Sequence, residues 1–321
     1  MFEHLRLPQS AREAIREWND RFAASLLSPV PDGWAETYGE VGPTTTIQTT
    51  FPISYIDTQF RSSRGPLTFD DFGSREVTLA VQEYQTGRRA ELLRLKLDQI
   101  VYQQWLRHAS TVNIAEAQHR AKQTAKLLED GENIKCYDDE KFFSTKHPAN
   151  PDKPQLGTFS NFQTVAKSPL VGKNIADEQA EMSMVKDPNG DLLGIEADTM
   201  FVSGRLYPHM VDLINKQFVG VQTPGGAVTE SNSLSIQKIN VVKIPQLNNT
   251  LDWYLVDSTK VKQLVPWVIL RMNPGMELEQ RELGVGSDTF MKGGYLHISR
   301  HIWYAFGLFF PHAIRKIKGL A

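Results

Sequence analysis

The chain has 321 residues, and its 40% hydrophobic and 22% charged content excludes wholesale disorder, collagen and coiled coil. At about 150 residues per domain, that length suits two domains or one with long excursions. The 35 basic and 37 acidic residues leave a formal charge of −2, which argues against a protein whose main work is sequence-independent grip on phosphate.

The first residues carry charges every few positions and lack the apolar core of a signal peptide. The longest apolar run, Ile302 to Pro311, is far short of the ~20 residues a membrane span needs and reads as buried strand, so a soluble chain made in the cytosol, with no membrane partner, is expected. From Ser10 to Leu27, Ile15, Trp18, Phe22 and Leu26 form one helical stripe, and Ser10 with Glu13 forms an S-x-x-E capping box. Turn-rich SPVPDGW and GEVGP follow, so the first forty residues read as one helix on an irregular arm with little to bury itself.

From Thr44 the chain turns to β character. Val77, Leu79 and Val81 alternate with polar residues, as do Leu93, Leu95 and Leu97, so residues 44–98 read as one long antiparallel hairpin with an arginine- and aspartate-bearing tip. A lone two-stranded ribbon is marginal in water, so the hairpin needs a surface to lie on, either its own sheet or another copy of the chain. With the arm equally short of core, the second copy is favoured, and Arg61, Arg64, Asp70, Asp71, Arg75, Trp18 and Phe22 are the candidate intersubunit contacts.

Ile100 to Asp130 reads as a helix anchored by Trp105, Leu106, Ile114, Leu127 and Leu128, with a possible break near His108 and a stop at Gly131. Residues 155–285 form a mixed unit: a strand at Thr199 to Ser203 feeds a helix from Tyr207 to Phe218, Leu234 to Pro245 alternates as a strand, and two short strands flank a turn at Asp257 to Lys260. Gly293 to Lys316 returns to β character, with YLHISRHIWYAFGLFF apolar on both faces near its end as a central strand would be, and is expected to pair near the end of the hairpin.

No catalytic, cofactor or metal site rises above background. In a strand, His297 and His301 lie roughly 13 Å apart, too far to chelate one ion. The run Asp138, Asp139, Glu140 reads as a solvated turn, and Ser235 to Lys238 matches S-x-x-K by chance in a strand. Gly284 and Gly286 lack the third glycine of a dinucleotide loop. Cys136 with His147 offers a nucleophile and base on paper, but cysteine is more often a small buried hydrophobe. The aromatic cluster around Trp253, Trp267 and Trp303 reads as packing rather than a ligand cage.

The stretch Cys136 to Pro148, CYDDEKFFSTKHP, resembles the CYDG-x-x-FFD-T-DHP stretch of the major head subunits of Mu-like phages, with Asp139 where that family often has glycine and Ser144 where it often has aspartate. Leu193 to Val202 and Asp252 to Lys260 are similar to two further segments of the family, in the same order, from about residue 90 onward. The resemblance implies an α+β, HK97-like coat-protein fold: an N-terminal arm (1–43), an extended hairpin loop (44–98), a peripheral domain with a long spine helix (99–154 and 286–321) and a mixed axial domain (155–285). It implies a structural protein rather than an enzyme, assembling into pentamers and hexamers of an icosahedral virion head in the host cytoplasm. Scaffold, portal and decoration or cement proteins would be partners, and double-stranded DNA would be held without sequence specificity. The alternatives are an encapsulin-like shell of a bacterial cargo compartment and a hydrolase using His297 or Cys136.

Overall fold

The computed structural model describes residues 8–26, 33–54, 74–187, 190–215, 218–223, 226–231, 239–272, 279–283 and 294–320. Helix α1 (Ala11–Leu26) starts as expected: Ser10 Oγ accepts the Glu13 amide at 3.2 Å, and the Glu13 carboxylate accepts the amide of Gln9 at 2.7 Å. After the short helix α2 (Trp34–Thr37), strand β1 (Glu40–Thr44) leads to β2 (Gln48–Ser54) and β3 (Ser74–Ala80), which pair antiparallel from Gln48↔Ala80 to Ser54↔Ser74 as a separate two-stranded ribbon.

The ribbon is shorter than the hairpin expected over 44–98. Beyond Val81 the chain continues as β4 (Gln82–Glu91), then as helix α3 (Leu92–Leu97) where alternating leucines suggested strand. LLRLKL satisfies both periods, and packing decides between them: Leu95 is fully buried while Leu93 and Leu97 face outward. Helix α4 (Gln99–Glu129) runs unbroken through His108, about 46 Å at 1.5 Å per residue. Its N-cap is Asp98, whose Oδ1 accepts the amides of Ile100 at 2.9 Å and Val101 at 3.2 Å. Gly131 does follow the helix, but not as a left-handed cap: a Cβ there would sit 2.6 Å from the Phe143 ring, so the glycine provides room for Phe143.

The next elements are β5 (His147–Pro148) paired with β6 (Thr158–Phe159), β7 (Phe162–Lys167), α5 (Gly172–Ser183), β8 (Thr199–Ser203), α6 (Tyr207–Asn215), and the hairpin of β9 (Phe218–Thr223) with β10 (Gly226–Ser231). They are followed by β11 (Asn240–Ile244), β12 (Trp253–Val256), β13 (Trp267–Met272), β14 (Glu279–Leu283), β15 (Tyr295–Leu308) and β16 (Ile314–Gly319). Two five-stranded sheets organise them. In one, β15 is central: β4 lines one edge over its whole length, β13 and then β14 line the other, and β1 joins β13 in parallel. In the other the order is β11, β8, β12, β16, β7.

Strand β15 thus returns to the end of the hairpin region, as its two-sided apolar sequence suggested. The sheets do not divide at the expected domain boundaries. Strand β13, from the stretch read as axial, pairs with β15, and β16, from the stretch read as peripheral, lies inside the second sheet. That second sheet alternates cleanly. Met200, Val202, Trp253 and Leu255 face α5 and α6, while Phe201 and Tyr254 join the main core with Phe142 and Phe143.

Candidate assembly surfaces

Helix α4 lies across the face of the β4–β15 pair that carries Tyr84, Ile298, Arg300 and Tyr304. Glu116, buried on α4, accepts from Arg300 at 2.6 Å, from Tyr304 Oη at 2.5 Å and from Arg120 at 3.0 Å, and Arg120 also donates to Glu36 of α2 at 2.6 Å. Burial alone would raise the Glu116 carboxyl, but Arg300, Tyr304 and Arg120 reverse that and hold it below the usual carboxylate range. At its far end α4 is tied to β16: buried Lys316 donates to the Glu129 carbonyl at 3.1 Å and pairs with Glu132 at 2.7 Å.

Trp18 and Phe22, expected at a subunit interface, are placed inside the chain. Both are buried, stacked at 5.5 Å, and packed with Tyr102, Trp105, Leu106 of α4 and Leu296, Ile298 of β15. The arm therefore has an interior after all, built on α4. A stripe at helical spacing announces an apolar face without saying whose surface covers it. Arg61, Arg64, Asp70 and Asp71 lie outside the described residues. Arg75, on β3, reaches Asp139 at 3.1 Å and Asp152 at 3.3 Å, so it ties the ribbon to its own chain.

Asp139 belongs to the CYDDEKFFSTKHP stretch, which folds as a compact knot under the ribbon. The Asp139 amide donates to the Cys136 carbonyl, the Cys136 amide to the Glu140 carbonyl, and the carboxylate of Asp138 meets His147 Nδ1 at 2.6 Å. His147 Nε2 meets the Phe142 carbonyl, which also accepts from Asn161 at 2.7 Å. Asp139 has φ 67°, the only left-handed non-glycine among the described residues, at the place where the resembling family often has glycine. The expected solvated acidic turn is thus half internal: Asp138 is buried and Asp139 is exposed.

The knot does not assemble a nucleophile. The Cys136 thiol donates to the Phe309 carbonyl at 2.8 Å, and burial pushes its pKa well up, keeping it neutral. His301 Nδ1 meets Glu83 at 2.5 Å on the sheet face away from α4. No group of three or more metal-ligating side chains converges among the described residues, and no helix among them is long and apolar enough to cross a membrane.

Two surface features escaped the sequence reading. Leu93, Leu97 and Ile100 are exposed close together in sequence around the α3–α4 elbow, Leu97 at 73% and Ile100 at 68%. The ribbon is anchored at its base by Leu79, which fills the notch over Gly307, where a Cβ would lie 2.3 Å from the leucine.

Residues 70–171, spanning β3 through the knot and on to β7, match the family model described as Mu-like prophage major head subunit gpT. Among solved structures, the chain is similar to one in the procapsid of bacteriophage JBD30, with 14% identity over 96% of this chain and 74% of that chain and a TM-score of 0.57. It is also similar to chains in the capsid of cyanophage P-SCSP1u (13% identity, 89% of this chain and 87% of that chain, TM-score 0.53) and in the capsid of an empty GTA particle (12%, 93% and 97%, 0.53). At these identities the likeness establishes the fold, which is the HK97-like coat-protein fold. No curated protein matches the chain.

Proposed function

We propose that this chain, whose stretch from 70 to 171 matches the Mu-like gpT head-subunit family and whose fold is that of phage capsid chains, is the major capsid protein of a phage head. It is a structural protein, and its work is to close with copies of itself into an icosahedral shell. The observation that carries this reading is the ribbon of β2 and β3: a two-stranded sheet outside both five-stranded sheets, anchored to its own chain near its base by Leu79 and Val77 and along its length by Arg75. Among the described residues no further strand pairs with either edge, and a two-stranded ribbon is at best marginally stable by itself.

The ribbon and the exposed α3–α4 elbow act as straps between neighbours. Contacts that are heterologous and close on themselves give rings, here the five- and six-membered capsomers of the shell. Obligate contacts of this type bury on the order of 2,000–5,000 Å², and Arg61, Arg64, Asp70 and Asp71, in the sequence between β2 and β3, are the candidates for charge pairs within them. Assembly takes place in the host cytoplasm with scaffold and portal proteins, and decoration or cement proteins bind the finished head. The shell encloses double-stranded DNA, and a net charge of −2 suits a wall that neither grips nor repels it strongly.

Negative-stain microscopy of the purified protein tests this. Closed shells of uniform diameter are expected, and deleting residues 58–74 should leave folded subunits that form none. Normal particles from the deletion would overturn the strap assignment, and particles packed with a protein cargo instead of DNA would overturn the phage-head reading.

A further inference from the structure

Most buried charge in this chain is matched. Glu116 has Arg300 and Arg120, Glu178 has Arg315 and Lys167, and Lys316 has Glu132. One surface region departs from that rule. Between β4 and the first half of α4 lies a cleft of about 360 Å³ whose walls include Arg88 and Arg89 from the strand and Gln104, Arg107, His108 and Thr111 from the helix, with no carboxylate among its lining residues. Among the described residues, none of the three arginines has an ion-pair partner. In a chain with slightly more acid than base, the two uncompensated guanidinium groups of Arg88 and Arg107 at one cleft are a local excess of positive field, while Arg89 borders it with its guanidinium on the Tyr295 ring.

Positions 104, 108 and 111 recur at helical spacing, with 107 beside them, so α4 presents a polar track about 10 Å long to the cleft. Arg88 shares the α4-facing side of the sheet with Ile298, whereas Arg89 pairs across from His297 and lays its guanidinium 5.3 Å from the Tyr295 ring. Burial and then Arg88 hold His108 below its ordinary pKa, so its ring is neutral at pH 7, and its buried Nδ1 has no hydrogen-bond partner. An anion in the cleft would relieve the Arg88 field at His108.

We propose that this cleft binds phosphate oxygens of a nucleic-acid backbone, and that it is the place where the subunit touches packaged duplex DNA. The inference rests on the phage-head reading for the presence of DNA, and on the cleft itself for the contact. A mixture of arginine with amide and hydroxyl donors along a track is the composition of backbone contacts, which position a duplex without reading its sequence. A carboxylate from a second copy would satisfy one guanidinium, whereas the track offers donors for several anionic oxygens in a row. One weak site per subunit, repeated over a shell, holds DNA loosely everywhere.

The test measures binding of unassembled subunits to a fluorescent 30-bp duplex across salt concentrations, comparing wild type with Arg88→Gln/Arg107→Gln. Each lost phosphate contact should flatten the slope of log K against log salt by about 0.9, so the double variant should lose about 1.8 and bind roughly 200-fold more weakly at 0.05 M salt. Because both residues are exposed, the variant should still form shells, which microscopy confirms in parallel. An unchanged slope and affinity would overturn the assignment while leaving the head reading intact. Loss of shell closure with unchanged duplex affinity would instead make the cleft a subunit contact. Displacement of the duplex by low-millimolar inorganic phosphate at fixed ionic strength would reduce it to a small-anion site. Wild-type subunits that bind the duplex as expected but never form shells would count against the head reading alone.

Discussion

Helix α4 and the β2–β3 ribbon come from neighbouring stretches of chain and are held in opposite ways. Along α4 every turn has a partner: Trp105 and Leu106 pack against the arm, Glu116 and Arg120 join a buried charge network with β15, and the last turn is tied to Lys316. The ribbon has its own ladder, a Thr50–Thr78 hydroxyl contact at 3.0 Å, Leu79 in a notch with half-buried Val77 beside it on the core, a Thr44–Thr49 hydroxyl contact at 2.7 Å at its base and one arginine reaching exposed carboxylates. A chain that can build the first arrangement has no shortage of means to bury a hairpin. The contrast is between a rigid body completed within the subunit and a lightly held ribbon, which the proposed function makes a strap for a neighbour.

The comparison can be broken most severely at α4. Arg300→Met removes one partner of a buried pair and leaves Glu116 short of a counter-charge, which should cost about 3–5 kcal/mol. Urea unfolding of the unassembled subunit reads it as a large fall in midpoint. A smaller break lies at the ribbon's base. Gly307→Ala puts a methyl group where Leu79 sits and should cost about 1–3 kcal/mol, with protease cutting of the hairpin rising before the rest of the chain becomes sensitive.

Acid separates the rigid body's components. His312 is fully buried with both ring nitrogens unpartnered, beside Tyr137, Phe159 and Phe310, and burial followed by His147 lowers its pKa to about 3 against the pull of Asp138. Its folded pKa is depressed, so the unfolded chain binds the extra proton. The resulting stability is complete above about pH 6.5 and is lost progressively as pH falls toward 3. Glu116, Glu178 and Asp257 are also held low, but their contributions fade only below the ordinary carboxylate range. His312→Phe should therefore flatten the loss of urea midpoint between pH 7 and pH 5. The flattening should be partial, since His108 and His119 carry slope of the same sign.

The smallest effect is expected at Asp139→Gly. Removing a side chain from φ 67° should gain up to about 1 kcal/mol, offset by losing an exposed pair with Arg75 worth at most about 1 kcal/mol. A change in urea midpoint beyond that range would mean the Arg75 pair matters more to the ribbon than its exposure implies.

Much of this was legible where a single pattern had a single physical meaning. The capping box at Ser10, the strand at Thr199 to Ser203, the helix start at Tyr207, the turn at Asp257 and the two-sided apolar strand β15 stand where the residues placed them, whereas that helix ends at Asn215 and Phe218, expected as its last residue, opens β9. The knot was legible as a motif, and Asp139 shows why: a left-handed backbone position is a geometric demand that a family records as glycine. What was not legible depended on partners. LLRLKL fits two periods, and only the burial of Leu95 chose the helix. Trp18 and Phe22 advertised an apolar face, and only the fold shows that α4 covers it. The interleaving of β13 and β16 between the sheets follows pairings that chain order does not carry. The basic cleft draws its residues from two elements, so no local run of the sequence displays it.

Hydrogen exchange of the amides of 48–54 and 74–80, in dissociated subunits and in closed shells, bears most directly on the division between rigid body and strap. In free subunits these amides should exchange orders of magnitude faster than those of α4, and shell closure should slow them toward the α4 rates. Ribbon amides already as slow as α4 in the free subunit, and unchanged on closure, would contradict it.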